Sequence, residues 1–270
     1  MENSQWTQRY GPTALVTGAS SGIGEQFARL LAQRGFDLVL TARREPLLLA
    51  IKEELEREFG ISVTCIVCDL CDPDQVGHLT QEVLRLDIGL VISNAGYGVA
   101  KGAYLDIPPD ALEAMYRANS LAPARIARAL LPVMVAQRRG GFIFTGSIEG
   151  DAVFPWSTAY AASKAFLHSL VQGLWYEVRD SGVDVLLLAP GATDTEAPLK
   201  QGISRDQLVG IMSPAVVAEQ ALAHLGVAPH FTPGLSNRLF IGLLRLLPRK
   251  WSIALSGYGM QRAIGKSRSA

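Results

Sequence analysis

Thr13-Ala14-Leu15-Val16-Thr17-Gly18-Ala19-Ser20-Ser21-Gly22-Ile23-Gly24 is the stretch that decides the fold. Its first five residues read as a short strand. Three glycines follow in the spacing G-x3-G-x-G, and a helix runs from about residue 22 to 34, where Gly35 ends it. Strand, glycine-rich turn and helix, in that order, build a dinucleotide site. The glycines let the backbone approach a pyrophosphate, and the helix N-terminus offers free N–H groups and the positive end of its dipole. The spacing is not G-x-G-x2-G, and no Gly-Lys-Ser/Thr follows to make a Walker loop. The plain alternative is a glycine-rich turn with no ligand.

Working outward, a second strand at residues 37–41 runs into Ala42-Arg43-Arg44. A dinucleotide fold that prefers NAD places an acid about 20 residues after the glycines. Here two arginines stand in that region, suited to clamping a 2′-phosphate. NADP(H) is therefore expected over NAD(H). The competing reading makes Arg43 and Arg44 a solvated start to the next helix. That helix covers residues 45–59, and a third strand at 61–67 leads to Asp69-Leu70. Asp72-Pro73 opens a helix reaching about residue 86, and a fourth strand at 88–92 precedes Asn94-Ala95-Gly96. Short apolar strands alternating with amphipathic helices argue an α/β fold: a Rossmann-type, doubly wound parallel sheet with helices on both faces, here as one domain over residues 1–270.

Composition narrows the function classes. Lys+Arg and Asp+Glu are both 25, so net charge points to no nucleic-acid partner. The first ten residues are polar and lack the apolar core of a signal peptide. No uncharged apolar run approaches the ~18 residues of a membrane span. The three cysteines suit a reduced, cytoplasmic setting. Cys65, Cys68 and Cys71 have iron–sulfur-like spacing, but a fourth cysteine is missing. Cys65 and Cys68 would also point to opposite faces of a strand end, so no metal is expected even with His78 as a fourth candidate.

The chemistry concentrates between Ser147 and Lys164. Ser147 follows the apolar run Phe142-Ile143-Phe144 and so sits where a strand ends. Tyr160 and Lys164 are four apart in an alanine-rich helical segment, which stacks them on one face. A free phenol has a pKa of about 10 and is a poor base near neutrality. An ammonium within about 4–6 Å lowers that value. A serine hydroxyl nearby can hold a substrate oxygen while the tyrosine exchanges its proton.

Together these motifs resemble the short-chain dehydrogenase/reductase family over nearly all of residues 13 to about 200. The set is Thr17-Gly18-x3-Gly22-x-Gly24, Asp69-Leu70, Asn94-Ala95-Gly96, Asn119, Ser147, Tyr160-x3-Lys164 and Pro190-Gly191 with Thr193. The resemblance implies hydride transfer between a nicotinamide cofactor and a small-molecule carbonyl or secondary alcohol. It implies that Gly18, Ser20, Gly22, Ile23 and Gly24 line the cofactor phosphates and ribose, and that Asp69 and Leu70 border the adenine. Asn94, Ala95 and Gly96 would support the adenine ribose, and Pro190, Gly191 and Thr193 the nicotinamide. Tyr160 would exchange the proton, Lys164 lower its pKa and bond the ribose, Ser147 orient the carbonyl, and Asn119 extend a relay through a water. Relatives that prefer NADP often carry a basic residue just before the second glycine. Here that position is Ser21, so the preference rests on Arg43 and Arg44. A homodimer or homotetramer is implied through two long helices, residues 108–138 (bent around Pro123 and Pro132) and 159–178. The alternatives are a catalytically silent cofactor-sensing or scaffold protein, and an NAD-linked alcohol dehydrogenase.

A sixth strand at residues 183–188 leads to Pro190. Residues 195–212 correspond to the family's mobile substrate lid. Tyr97, Phe154 and Trp156 are expected to wall the substrate pocket, implying an apolar or aromatic substrate, although core positions are equally compatible. Ser213 is a helix N-cap candidate, and a short seventh strand is expected at Phe231-Thr232. Residues 235–260 read as a helical cap on the cleft or a subunit contact, with an interfacial membrane helix as the third reading. Residues 265–270 are expected to fray.

Overall fold

The computed structural model describes residues 3–208 and 210–267. A helix absent from the sequence reading, α1 (Asn3–Tyr10), precedes β1 (Thr13–Thr17). There follow α2 (Gly22–Gln33), β2 (Asp37–Ala42), α3 (Glu45–Phe59) and β3 (Val63–Val67). Next come α4 (Pro73–Val83), β4 (Ile88–Ser93), α5 (Pro109–Tyr116), α6 (Ala122–Gln137) and β5 (Gly140–Thr145). The second half holds α7 (Thr158–Val178), β6 (Val183–Leu188), α8 (Glu196–Lys200), α9 (Pro214–His224) and the two-residue β7 (His230–Phe231). Two helices close the chain, α10 (Leu235–Leu246) and α11 (Arg249–Ser267).

All seven strands join one parallel sheet in the order β3-β2-β1-β4-β5-β6-β7. The winding reverses between β1 and β4, which opens a crevice at their carboxyl ends. Strands β4 and β5 are buried along their whole length, as a sheet covered on both faces requires. One face packs against α2, α3 and α9, with Phe27, Leu31, Leu48 and Val217 in its core. The other packs against α4, α6 and α7 through Leu79, Ile126, Leu130 and Leu167.

Local chemistry sets the element ends. The Asp72 carboxylate caps α4 by accepting from the Asp74 and Gln75 backbone N–H groups, at 2.9 and 3.3 Å. Ser213, by contrast, makes no side-chain cap bond to α9; Pro214 at the first turn starts that helix instead. The single long helix expected over residues 108–138 is divided by a π-helical turn, Arg117–Leu121. Pro132 is accommodated inside α6, and the π turn falls at Asn119 rather than at a proline. The fraying expected from Gly265 is not seen as far as Ser267, which α11 includes; residues 268–270 lie outside the described residues. Among the described residues no helix is long and apolar enough to cross a membrane.

Helix α1 seals the amino-terminal end of the sheet. Tyr10 is fully buried, and its hydroxyl donates to Asp184 Oδ2 on β6 at 2.9 Å. Arg9 bonds the same carboxylate at 2.6 Å. Glycines make the seat: a Cβ at Gly89 would lie 1.7 Å from the Tyr10 carbonyl oxygen, and one at Gly141 would lie 2.9 Å from the Tyr10 ring. Tyr10→Ala should therefore lower unfolding free energy by about 3–5 kcal/mol. Tyr10→Phe should cost only about 1 kcal/mol, the value of one hydrogen bond. Urea denaturation of the two variants checks both figures, and equal losses would refute the packing role.

Candidate active site

The crevice at the winding reversal is a cleft of about 910 Å³. Glycine geometry shapes its phosphate end. Gly18 and Gly22 have φ of 68° and 63°, in the left-handed region that favours glycine. A Cβ at Gly24 would stand 2.2 Å from the Gly18 carbonyl oxygen, so this glycine serves close packing behind the loop and does not line the cleft. Gly18, Ser20, Ser21, Gly22 and Ile23 do line it.

Arg44 reaches across from the end of β2. Its Nη2 donates to Ser21 Oγ at 2.7 Å and to Ser20 Oγ at 3.2 Å, and its Nη1 sits 3.1 Å from Glu196 on α8. A carboxylate thus occupies an anion seat made by an arginine and two hydroxyls. Arg43 lies 3.8 Å from Asp69 and over the Tyr97 ring at 5.9 Å. Asp69, Leu70, Asn94, Ala95, Gly96 and Tyr97 complete this end of the cleft. The glycine cradle, the helix N-terminus and this seat fit a dinucleotide with a 2′-phosphate.

At the other end, Ser147, Tyr160, Lys164, Pro190, Gly191 and Thr193 line the same cleft. Ser147 lies just past β5, and its Oγ accepts from Glu149 N at 3.2 Å. Lys164 is 3% exposed and donates to the Thr145 carbonyl at 2.8 Å. Its Nζ is 5.7 Å from the Tyr160 ring centroid. Burial pushes the Lys164 ammonium down to about 8, with the Glu149 carboxylate pulling back.

The phenol departs from expectation. Burial pushes Tyr160 above its ordinary value, the Glu149 carboxylate adds to the push, and the neighbouring Ser147 pulls the other way. The depressed pKa read from Tyr-x3-Lys is therefore reversed here. The lysine's charge is itself disfavoured by burial, and an anion the spacing argument ignored stands close by.

Asn119 does not reach the cleft. In the π turn, its Oδ1 accepts from Tyr97 N at 2.9 Å, and its Nδ2 donates to Tyr97 O at 2.8 Å and Ser163 Oγ at 3.0 Å. It borders the site through Gly96: a Cβ there would lie 3.0 Å from Asn119 Oδ1 and 3.2 Å from Lys164 Nζ. Phe154 is on the cleft wall, and Tyr97 stands at the Arg43 end instead of beside Ser147. Trp156 is a correction to the expected wall. It is 37% exposed, sits at φ 67° and lines a separate small cavity with Val99 and Ile107. The turn between Ser147 and α7 carries Phe154 inward and Trp156 outward.

Two groups of partners were not singled out from the sequence. Lys101, its side chain 3% exposed, pairs with Glu149 at 2.9 Å and stands over the Tyr160 ring at 4.7 Å. Ser157 hydrogen-bonds both members of that pair. Behind the serine, His168 follows Tyr160 and Lys164 on the same face of α7, and that i, i+4, i+8 pattern was the available signal. Its Nε2 accepts from Ser147 N at 3.5 Å, and its Nδ1 faces Asp151 Oδ1 at 3.3 Å. Burial raises the Asp151 pKa, but the neighbouring His168 and His230 imidazoles outweigh it and hold the carboxyl below the usual range. Asp151, His168 and His230 bring possible ligand atoms within 4.8 Å of one another. The Ser147 N–H on Nε2 places the imidazole proton on Nδ1, and Arg245 already bonds Asp151 at 2.6 Å, so the cluster reads as a hydrogen-bonded dyad bracing Ser147.

Segment 195–212 lies across the cleft. Glu196 reaches Arg44, the Lys101 N–H donates to Gln201 O at 3.1 Å, and Thr193 bridges to Met212. Helices α10 and α11 add Asn237, Phe240, Leu255 and Met260 to the apolar end.

Comparison with known proteins gives the family. A family model described as short chain dehydrogenase matches residues 12–206. The chain is 32% identical over 232 residues to a 7beta-hydroxysteroid dehydrogenase of Clostridium sardiniense, covering 86% of this chain and 88% of that one. It is 32% identical over 241 residues to a very-long-chain 3-oxoacyl-CoA reductase of Neurospora crassa, covering 85% and 71%. A short-chain dehydrogenase from Sphingobium yanoikuyae, solved in complex with NADPH, superposes with a TM-score of 0.79 at 31% identity, over 88% of this chain and 96% of that one. The chain belongs to the short-chain dehydrogenase family. It is an NAD(P)-dependent oxidoreductase.

Lys164→Met tests the electrostatics apart from turnover. Removing an ammonium that burial disfavours should stabilise the protein near neutrality by about 1–2 kcal/mol, after losing one hydrogen bond. The folded pKa lies below the unfolded 10.5, so the gain is full below pH 8 and fades as pH rises to 10.5. Urea denaturation across that range measures it. A variant less stable than wild type near neutrality would contradict the assignment.

Proposed function

We propose that this oxidoreductase uses NADP(H) and reduces the carbonyl of a bulky apolar ketone or aldehyde. The observation that carries this reading is that Ser147, Tyr160 and Lys164 line one predominantly apolar cleft, with Lys164 Nζ 5.7 Å from the Tyr160 ring centroid. Two hydroxyls lining one cleft suit a carbonyl oxygen. When bound, the dihydronicotinamide supplies a hydride to the carbonyl carbon. Ser147 donates a hydrogen bond to the oxygen, and Tyr160 transfers its proton to the forming alkoxide. A phenol is protonated at neutral pH, and the upward shift keeps it so, which suits donation to a carbonyl oxygen. Lys164 and Lys101, at 5.7 and 4.7 Å from the ring centroid, stabilise the phenolate left behind. Asn119 keeps the Tyr97 loop, and through Gly96 the lysine, in place.

Arg44 with Ser20 and Ser21 supports NADP(H), since Glu196 already shows that an anion seats there. The NADPH complex of the Sphingobium relative supports it too. Phe154, Phe240, Leu255 and Met260 support an apolar substrate. So do the relatives, named for a hydroxysteroid and for a very-long-chain 3-oxoacyl-CoA. Segment 195–212, α10 and α11 would act as the cover that excludes water. Pairing of subunits through α6 and α7 is supported by exposed Leu121, Phe166 and Tyr176 on and beside those helices.

Screening polycyclic and long-chain ketones for NADPH oxidation tests the reading, and a flat response across the panel would defeat it. On any substrate found, Tyr160→Phe should lower kcat by roughly 10²–10⁴-fold while NADPH binding stays within about twofold. Arg44→Ala should weaken NADPH by roughly tenfold or more and leave NADH unchanged, as measured by cofactor fluorescence titration. Equal losses for both cofactors would remove the 2′-phosphate assignment.

A further inference from the structure

The last two helices have an outer surface that a water-facing helix pair does not ordinarily carry. Helix α10 buries Asn237, Ile241 and Leu244 on its inner side. Its outer side should then be polar. Instead Leu235, Leu239, Leu243 and Leu246 stand there, 64%, 65%, 49% and 86% exposed. Helix α11 likewise exposes Trp251, Leu255 and Tyr258, 70%, 42% and 66% exposed, one turn apart along one side. Leu246 and Trp251 flank the Leu247-Pro248 elbow between the helices, together with Arg249 and Lys250.

Charge makes the surface specific. Seven of the 25 Lys and Arg residues, Arg238, Arg245, Arg249, Lys250, Arg262, Lys266 and Arg268, fall after residue 234, and none of the 25 Asp and Glu residues does. The last acid in the chain is Glu219. A protein of zero net charge thus gathers cations, without acids, in the stretch after residue 234. Arg245 is held by Asp151. Among the described residues no carboxylate pairs with Arg238, Arg249, Lys250 or Arg262. The cleft opens on this same face, because Phe240, Leu255 and Tyr258 both line it and are exposed.

We propose that α10 and α11 dock the protein on an anionic lipid surface, with the Leu246–Trp251 elbow inserted and the cleft mouth turned toward the bilayer. Exposed leucines and a tryptophan enter the headgroup boundary, and flanking Arg and Lys meet lipid phosphates. A second copy of the chain is a poorer occupant. A two-fold contact would press this patch against itself and set like charges against like, which is unfavourable. The docking does not depend on the identity of the carbonyl substrate.

Flotation of the NADPH-loaded protein with vesicles of phosphatidylcholine, with and without phosphatidylglycerol, tests this. Binding should require phosphatidylglycerol and weaken as salt rises. Trp251 emission should shift to shorter wavelength on binding, a change absent in Trp251→Phe. The double variant Leu246→Ser, Trp251→Ala should lose binding while keeping its thermal midpoint and NADPH affinity, since neither residue lines the cleft. Arg249→Gln and Lys250→Gln should each weaken binding about fivefold. Absence of binding at low salt, or equal binding to both vesicle types, overturns the proposal. So does sedimentation showing a wild-type dimer that the double variant converts to monomer, without lipid binding.

Discussion

Thr17 Oγ1 accepts two backbone N–H bonds at 3.0 Å, from Asn94 and from Ala95, and the Asn94 amide donates back to the Thr17 carbonyl at 3.2 Å. These bonds tie the ends of β1 and β4 together where the winding reverses. Two adjacent strands whose crossovers leave in opposite directions must part at their carboxyl ends, and the threonine and asparagine set how far. Gly18 turns directly above this joint, with the site of its missing Cβ only 2.9 Å from Ala95 Cα. The glycine loop, the Tyr97 segment and the floor under Lys164 all take their positions from it.

A second constraint is electrostatic. Lys164 and Glu149 line the cleft with Tyr160, and Lys101, paired with Glu149, stands over the same phenol ring. An ion pair out of water gains its stability only from close geometry and full hydrogen bonding. Lys101, Glu149 and Ser157 satisfy one another, while Lys164 relies on the Thr145 carbonyl. The difference shows in Lys164, whose ammonium burial holds down near 8. Burial and the Glu149 anion together hold the Tyr160 pKa above its ordinary value. Behind them, His168 and Asp151 brace the Ser147 backbone and link it through Arg245 to α10. The helix that bears the exposed leucines is thereby coupled to the loop that bears the serine.

Much of this could be read along the chain. The alternation of strands and helices, the G-x3-G-x-G turn and the order of Ser147, Tyr160 and Lys164 each depend on spacing within one or two elements, and spacing survives in sequence. The π turn at Asn119, the outward swing of Trp156 and the sense of the Tyr160 shift were not readable. Each depends on atoms far away in the chain: Asn119 on Tyr97 and Ser163, Tyr160 on Glu149, and Glu149 on Lys101. Helix α1 is the same case, since its polar sequence conceals a Tyr10 whose seat is made by Gly89, Gly141 and Asp184.

The sequence by itself determined the doubly wound sheet, the phosphate-binding turn and which residue types face one another at the catalytic end. Local hydrogen bonding and the periodicity of apolar residues are properties of neighbours. Only the tertiary structure decided the direction in which the phenol's pKa is pushed, the hidden partners of the serine and the exposure of the α10 leucines. Desolvation and charge–charge terms act through space, and they take their values only once distant segments have been brought together.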